Sequence, residues 1–279
     1  AVILGIVEGI TEFLPVSSTG HLNIVEKLLH YDIEGKGMTA FTAVIQIGAI
    51  LAAVIYFWGD IVRIVTAWFK GLRSKEARSD PDYTLGWGII LGSIPVAAVG
   101  LLLKDFIEVT ARSLWVIAGA LIIWSVVMWF ADQQSDAPAG ATHASVGKGM
   151  SQVGVKDALI IGAFQALAPV LPGISRSGAT IAAGLLMGLA VGEAFRFSFL
   201  ISIPAVLGAT LLELLKIHRV GTVAALPEGW AWAVAVAFVL GWLSLRLLRR
   251  LVLSGRWAYF GFYCLLVGSA AILVALDLF

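Results

Sequence analysis

The chain has 279 residues, 59% of them hydrophobic and only 13% charged, with a net charge of +1 and a mean hydropathy of +0.94. So little polar surface excludes a water-soluble globule of this size, and the near-neutral balance without a basic run argues against nucleic acid as a partner. The single cysteine, Cys264, excludes a disulfide framework.

Residues 1 to 14 are apolar apart from Glu8, Thr11 and Glu12. Pro15 then breaks the helix, Ser17 to His21 form a polar turn, and a second limb runs to Leu29. Neither limb can cross a hydrocarbon layer roughly 30 Å thick, so the pair predicts a re-entrant hairpin. Non-helical backbone at membrane depth predicts a cavity at its turn. Apolar runs long enough to span follow at 39–58, 85–104 and 113–131, and residues 132–154 read as a polar, mobile linker. A second broken segment, 156–188, is interrupted by Pro169, Pro172 and Gly173, and further spans fall at 193–216, 229–249 and 257–277. The predicted class is an all-α polytopic membrane protein with six transmembrane helices and two re-entrant helical hairpins. The short alternating segments of a β-barrel are not seen.

The chain reads as one integral membrane domain with two matching halves, 1–131 and 155–279, around the 132–154 linker. Gly5-Ile6-Val7-Glu8 and Leu14-Pro15-Val16-Ser17-Ser18-Thr19-Gly20 align with Gly162-Ala163-Phe164-Gln165 and Leu171-Pro172-Gly173-Ile174-Ser175-Arg176-Ser177. Each half is a hairpin plus three spans, and three is odd. The second half is therefore expected upside down relative to the first, an inverted-topology repeat whose broken segments meet near the midplane. Arg63, Lys70, Arg73, Lys75 and Arg78, in the loop expected at 59–84, share one face with Arg246, Arg249, Arg250 and Arg256, which should be cytoplasmic. The first hairpin then opens to the outside, the second enters from the cytoplasm, and both termini lie outside.

Glu8 and Glu12 stand four apart and share a helix face. A hard divalent ion, Mg²⁺ or Ca²⁺, is the natural relief for two carboxylates so placed; the plainer alternative is a pair of solvated acids. Ser17, Ser18, Thr19 and His21 could supply a nucleophile and a proton acceptor, or simply a polar turn capping the next helix. Arg176, set between apolar stretches, needs an anion: a phosphate, with Ser175, Ser177 and Thr180 as further donors, or an internal ion pair with Glu8 or Glu12. The acids are not repeated, because Gln165 stands where Glu8 would be and Pro169 where Glu12 would be. That asymmetry suits a catalyst acting on phosphate better than a pore. Gln46 and Ser202, at equivalent positions of the first span in each half, are expected to line the cavity. His30, His143 and His218 rank lower, at element ends or in the linker. Gly48, Gly208 and Gly241 are expected at close-packing contacts, which makes a homodimer plausible.

The run Glu8-Gly9-Ile10-Thr11-Glu12-Phe13-Leu14-Pro15-Val16-Ser17-Ser18-Thr19-Gly20-His21-Leu22, with Pro172-Gly173-Ile174-Ser175-Arg176-Ser177-Gly178-Ala179-Thr180, resembles the bacterial undecaprenyl pyrophosphate phosphatase family of bacitracin-resistance proteins over essentially the whole chain. The resemblance implies a multi-pass protein of the bacterial cytoplasmic membrane, among membrane lipids, with its site facing the outside. It implies removal of the terminal phosphate of undecaprenyl pyrophosphate, to recycle the lipid carrier of peptidoglycan synthesis, with a divalent cation. By position, Glu8 and Glu12 match the acidic motif, Ser17, Ser18 and His21 the hydroxyl and histidine positions, and Ser175, Arg176, Ser177 and Thr180 the phosphate-binding motif. One departure is the extra Pro169 in Gln165–Pro172, which bears on the second hairpin's first limb and not on its tip. The expected mechanism has Ser18 attack while His21 takes its proton, with Glu12 and Glu8 holding the cation or orienting His21. Direct attack by water fits equally. The rival class is a lipid-phosphate flippase using the same inverted-repeat cavity.

Overall fold

The computed structural model describes the chain apart from residues 32–35, 111–112, 135–146, 221–225, 255–257 and 279, with the backbone alone at 36, 108, 110, 131–134, 217, 218, 220 and 258. Arg112, His143, Arg256 and the side chain of His218 therefore lie outside the described residues, as does most of the expected linker. Among the described residues there is no strand, and the secondary structure is helical.

The first hairpin is α1 (Val2–Thr11) and α2 (Ser18–Leu28), joined by turns through Pro15. Ser17 caps α2, its Oγ accepting from the Gly20 N–H. After it come α3 (Lys36–Tyr56), α4 (Trp58–Arg73), α5 (Pro81–Leu102), α6 (Lys104–Thr110) and α7 (Leu114–Gln134). The second hairpin is α8 (Val155–Gln165), the single turn α9 (Leu167–Val170) and α10 (Arg176–Leu186), capped by Ser175 as α2 is by Ser17. Helices α11 (Val191–Val220), α12 (Trp230–Leu253) and α13 (Ala258–Ala275) follow. The extra Pro169 lies in α9, so the second hairpin's first limb carries a turn that the first hairpin lacks.

Among the described residues four helical stretches, Gly37–Tyr56, Pro81–Leu102, Val191–Lys216 and Trp230–Leu253, are long and apolar enough to cross a membrane, and Leu114–Phe130 and Tyr259–Ala275 are apolar but shorter. The chain is a polytopic, all-helical membrane protein. Two expectations need correction. The connection at 59–84 is not a loop, because Trp58–Arg73 is helical, with Ile64, Ala67 and Gly71 buried on one stripe and Lys70 and Arg73 in its last turn. Its apolar residues recur at helical spacing, and the charges between them made it read as a connection. The linker is also pinned at its far end. The Lys148 N–H donates to the Gly188 carbonyl at 2.7 Å, and the Ala190 N–H donates to the Lys148 carbonyl at 3.0 Å.

The packing that sets the site in place is reciprocal. Helix α1 lies on α12, α8 lies on α5, and α7 lies on α13. A Cβ at Gly5 would stand 2.4 Å from the Ala233 carbonyl oxygen of α12, and one at Gly162 would stand 1.8 Å from the Gly92 carbonyl oxygen of α5. These backbones touch, and only glycine permits it. Gly48 and Gly241 also meet neighbouring helices, whereas Gly208 has nothing within 4 Å of its Cβ position and makes no such contact. An aromatic cluster beneath the first hairpin's turn, Phe13, Phe57, Phe195 and Phe199, has ring centroids 5.0–5.9 Å apart and locks α11 to the residue beside Glu12.

Candidate active site

The two hairpin tips meet. Ser175 Oγ donates to the Leu14 carbonyl at 3.4 Å, a Cβ at Gly178 would stand 3.0 Å from Pro15 Cβ, and the Arg176 guanidinium donates to Glu12 Oε1. Trp124 of α7 holds the crossing by donating its indole N–H to the Pro15 carbonyl at 3.1 Å. Glu12 is 8% exposed, so its charge and that of Arg176 answer each other in a poorly hydrated place, where removing either leaves the other uncompensated.

The second oxygen of Glu12 is also engaged. Ser18 Oγ donates to Glu12 Oε2 at 2.6 Å. Ser18, Glu12 and Arg176 therefore form one chain, hydroxyl to carboxylate to guanidinium, drawn from both hairpins. In this structure the Ser18 hydroxyl donates to Glu12, where the sequence led us to expect His21. His21 Nδ1 lies 2.7 Å from the Ser17 carbonyl, which can only accept, so Nδ1 carries the proton. Nε2 then accepts from the Tyr263 hydroxyl at 2.8 Å, the two rings being parallel within 3°. The Ser17 backbone, at φ 68° and ψ 99°, is strained for a non-glycine residue. It is this conformation that turns the Ser17 carbonyl toward the imidazole.

The other expected phosphate ligands sit differently. Ser175 and Ser177 are buried and 3.0 Å apart. Thr180 is fully buried, donates to the Arg176 carbonyl at 2.9 Å and contacts Ser198 Oγ. Their hydroxyls are spent inside the protein, where they fix the helix turn that carries Arg176. Thr19, by contrast, is exposed and lines a cavity beside the first hairpin.

That cavity, of about 300 Å³, is walled by Glu8, Ser18, Thr19, Asn23, Thr39, Thr42, Gln46, Thr210 and Glu213 among others. A small apolar pocket is lined by Glu12, Arg176, Phe13 and Ser202 among others. Gln46 and Ser202 thus reach one pocket each, and Ser202 also donates to Gln165 Oε1 at 2.9 Å. Glu8 is 1% exposed, and its Oε1 has no hydrogen-bond partner among the described residues. Such an orphaned buried carboxylate oxygen, in a wall of oxygen donors, suits a hard cation. Among the described residues no three His, Cys, Asp or Glu side chains cluster, so a cation here would also need amide, hydroxyl or phosphate oxygens.

Tyr263 and Trp124 escaped the sequence reading because each lies in an apolar span with no local mark of its role. Asn23 did carry a mark, as a lone amide between Leu22 and Ile24.

Fold and site together define a polytopic membrane protein with an acid–serine–arginine centre at the meeting of two broken helical segments. Residues 1–270 match the family described as bacitracin resistance protein BacA, and the chain belongs to that family. It is 55% identical to the undecaprenyl-diphosphatase of Cutibacterium acnes over 96% of this chain and 93% of that one. It is 44% identical to undecaprenyl-diphosphatase 3 of Frankia casuarinae over 98% and 94%, and 43% identical to undecaprenyl-diphosphatase 1 of Streptomyces avermitilis over 96% and 92%.

Proposed function

We propose that this chain is an undecaprenyl-diphosphatase. It hydrolyses undecaprenyl pyrophosphate to undecaprenyl phosphate and inorganic phosphate, which recycles the carrier of cell-wall synthesis and confers bacitracin resistance. The relatives' names point to this substrate, and the observation that carries the chemistry is Glu12 joined to Ser18 on one oxygen and to Arg176 on the other. The enzyme sits in the bacterial cytoplasmic membrane as six spans and two re-entrant hairpins in an inverted repeat, with its site toward the outside. The reciprocal packing of each hairpin on the opposite half supports that layout.

In this mechanism Ser18 Oγ attacks the terminal phosphorus in line and passes its proton to Glu12. The bond to the bridging oxygen breaks, and undecaprenyl phosphate leaves. Arg176 turns from Glu12 to the phosphate oxygens, because neutralising their charge is the main task in a loose phosphoryl-transfer transition state. Water then cleaves the phosphoserine, giving inorganic phosphate and returning a proton to Ser18. The Ser17 carbonyl keeps the proton on Nδ1, and His21 Nε2 accepts the water proton once the Tyr263 hydroxyl, which occupies it at rest, swings away. Ser175, Ser177 and Thr180 hold Arg176 in place. Glu8, with the uncommitted oxygen, would hold a divalent cation such as Mg²⁺ or Ca²⁺, which supplies countercharge to the diphosphate when bound.

Phosphate release from undecaprenyl pyrophosphate by purified protein tests the reading. Glu12→Gln, Ser18→Ala, His21→Ala and Arg176→Ala are each expected to lose about 10²-fold or more, and EDTA should suppress the wild type. Acid-quenched enzyme should carry phosphate on Ser18, and its absence would favour direct attack by water. No release from folded wild-type protein would sink the proposal.

A further inference from the structure

We propose that Asn23 is the partner of Glu8 in a divalent-cation site, and that Glu12 is not. This deepens the phosphatase reading above and rests on it for the substrate.

Asn23 is 3% exposed. Its Nδ2 donates to the Thr19 carbonyl at 2.8 Å, and since a carbonyl only accepts, the amide cannot be flipped. The oxygen is therefore the free end, and Asn23 Oδ1 is buried without a hydrogen-bond partner among the described residues. Glu8 Oε1 is in the same condition. Both residues line the same 300 Å³ cavity. Buried acceptors are rarely left unpaired, so two enclosed ones on residues that line one cavity call for an occupant that can satisfy acceptors.

The substrate cannot do this by itself. A diphosphate brings acceptor oxygens and negative charge, and among the described residues the cavity wall contains Glu8 and Glu213 but no lysine or arginine. Each Glu12 oxygen already has a partner in this structure, Arg176 on one and Ser18 on the other, whereas Glu8 Oε1 and Asn23 Oδ1 have none among the described residues. A hard cation bound by Glu8 Oε1 and Asn23 Oδ1 satisfies both orphans and completes its shell with water, threonine hydroxyls or phosphate oxygens. The cavity has room for it, since a water occupies about 30 Å³. Arg176 lines the other pocket. The two phosphates of the substrate are thereby sorted, one onto Arg176 and one onto the cation, with Ser18 reaching both cavity and Glu12.

Asn23 is the chain's only asparagine, which makes the test direct in the unmutated protein. With ¹⁵N-asparagine labelling in detergent micelles, the side-chain amide gives a single signal. Mg²⁺ should shift it saturably and Mn²⁺ should broaden it, both without substrate. Glu8→Gln should abolish the response, while Glu12→Gln should leave it. Mn²⁺ binding followed by electron paramagnetic resonance should weaken about 10-fold or more in Asn23→Leu, with thermal unfolding as the check on folding. A signal unmoved by cation concentrations that activate phosphate release would overturn the site and leave the phosphatase standing. A saturable shift in protein that releases no phosphate would sustain the site and sink the phosphatase reading.

Discussion

At the residue scale, His21 shows how a distant contact sets local chemistry. Its Nδ1 proton is committed to Ser17, and Tyr263, 242 positions away, holds Nε2. Tyr263→Phe should therefore lower kcat about 10-fold while KM changes little, and should move the acidic limb of the kcat profile. A loss confined to KM would place Tyr263 in substrate binding instead. Glu8, Glu12, Ser18, His21 and Arg176 were legible because ionisable and hydroxyl groups in apolar runs stand out. What each touches was not, and the serine–histidine pair expected from nearness in sequence gave way to serine–glutamate. Four residues along from Ser17, His21 turns back to the Ser17 carbonyl, while Ser18 reaches Glu12 at the end of α1.

Among elements, the helices were readable wherever hydropathy and helix breakers agreed. The expected 85–104 corresponds to α5 (Pro81–Leu102), whose start is fixed by Asp80 accepting from the Asp82 N–H, with Pro81 at the first position. Amphipathic α4 was hidden by its charges, and short α9 by its prolines. Packing partners were out of reach of any local signal. The close approach of α8 to α5 yields an expectation of its own: Gly162→Ala should destabilise the protein by about 1–3 kcal/mol. Gly119→Ala, where the added Cβ meets nothing within 4 Å, should cost nothing measurable. Thermal unfolding in detergent, followed by tryptophan fluorescence, compares the two; equal effects would mean the crossing relaxes freely.

Across the whole molecule, α4 and α11 are tied by charge. Asp60 accepts from Arg196 at 2.6 Å and from Arg63 at 3.0 Å, and Arg63 also pairs with Asp82. Burial alone would raise the Asp60 carboxyl, but hydrogen bonds from Arg196 and Arg63, with their charge, hold it below the ordinary carboxylate value. A depressed value means stability present above the unfolded-state pKa and lost as pH falls through the folded one. Asp60→Asn should thus lower the melting temperature at pH 7 and flatten its decline below about pH 4. An unchanged acid limb would show that other carboxylates carry it.

The embrace of α1 by α12 has a consequence for biosynthesis. Gly5 rests on Ala233, which leaves the ribosome about 230 residues later, on the order of 10–50 s at ordinary elongation speeds. The acidic hairpin is thus made first and seated late, so a nascent chain abandoned before α12 carries no assembled phosphatase centre.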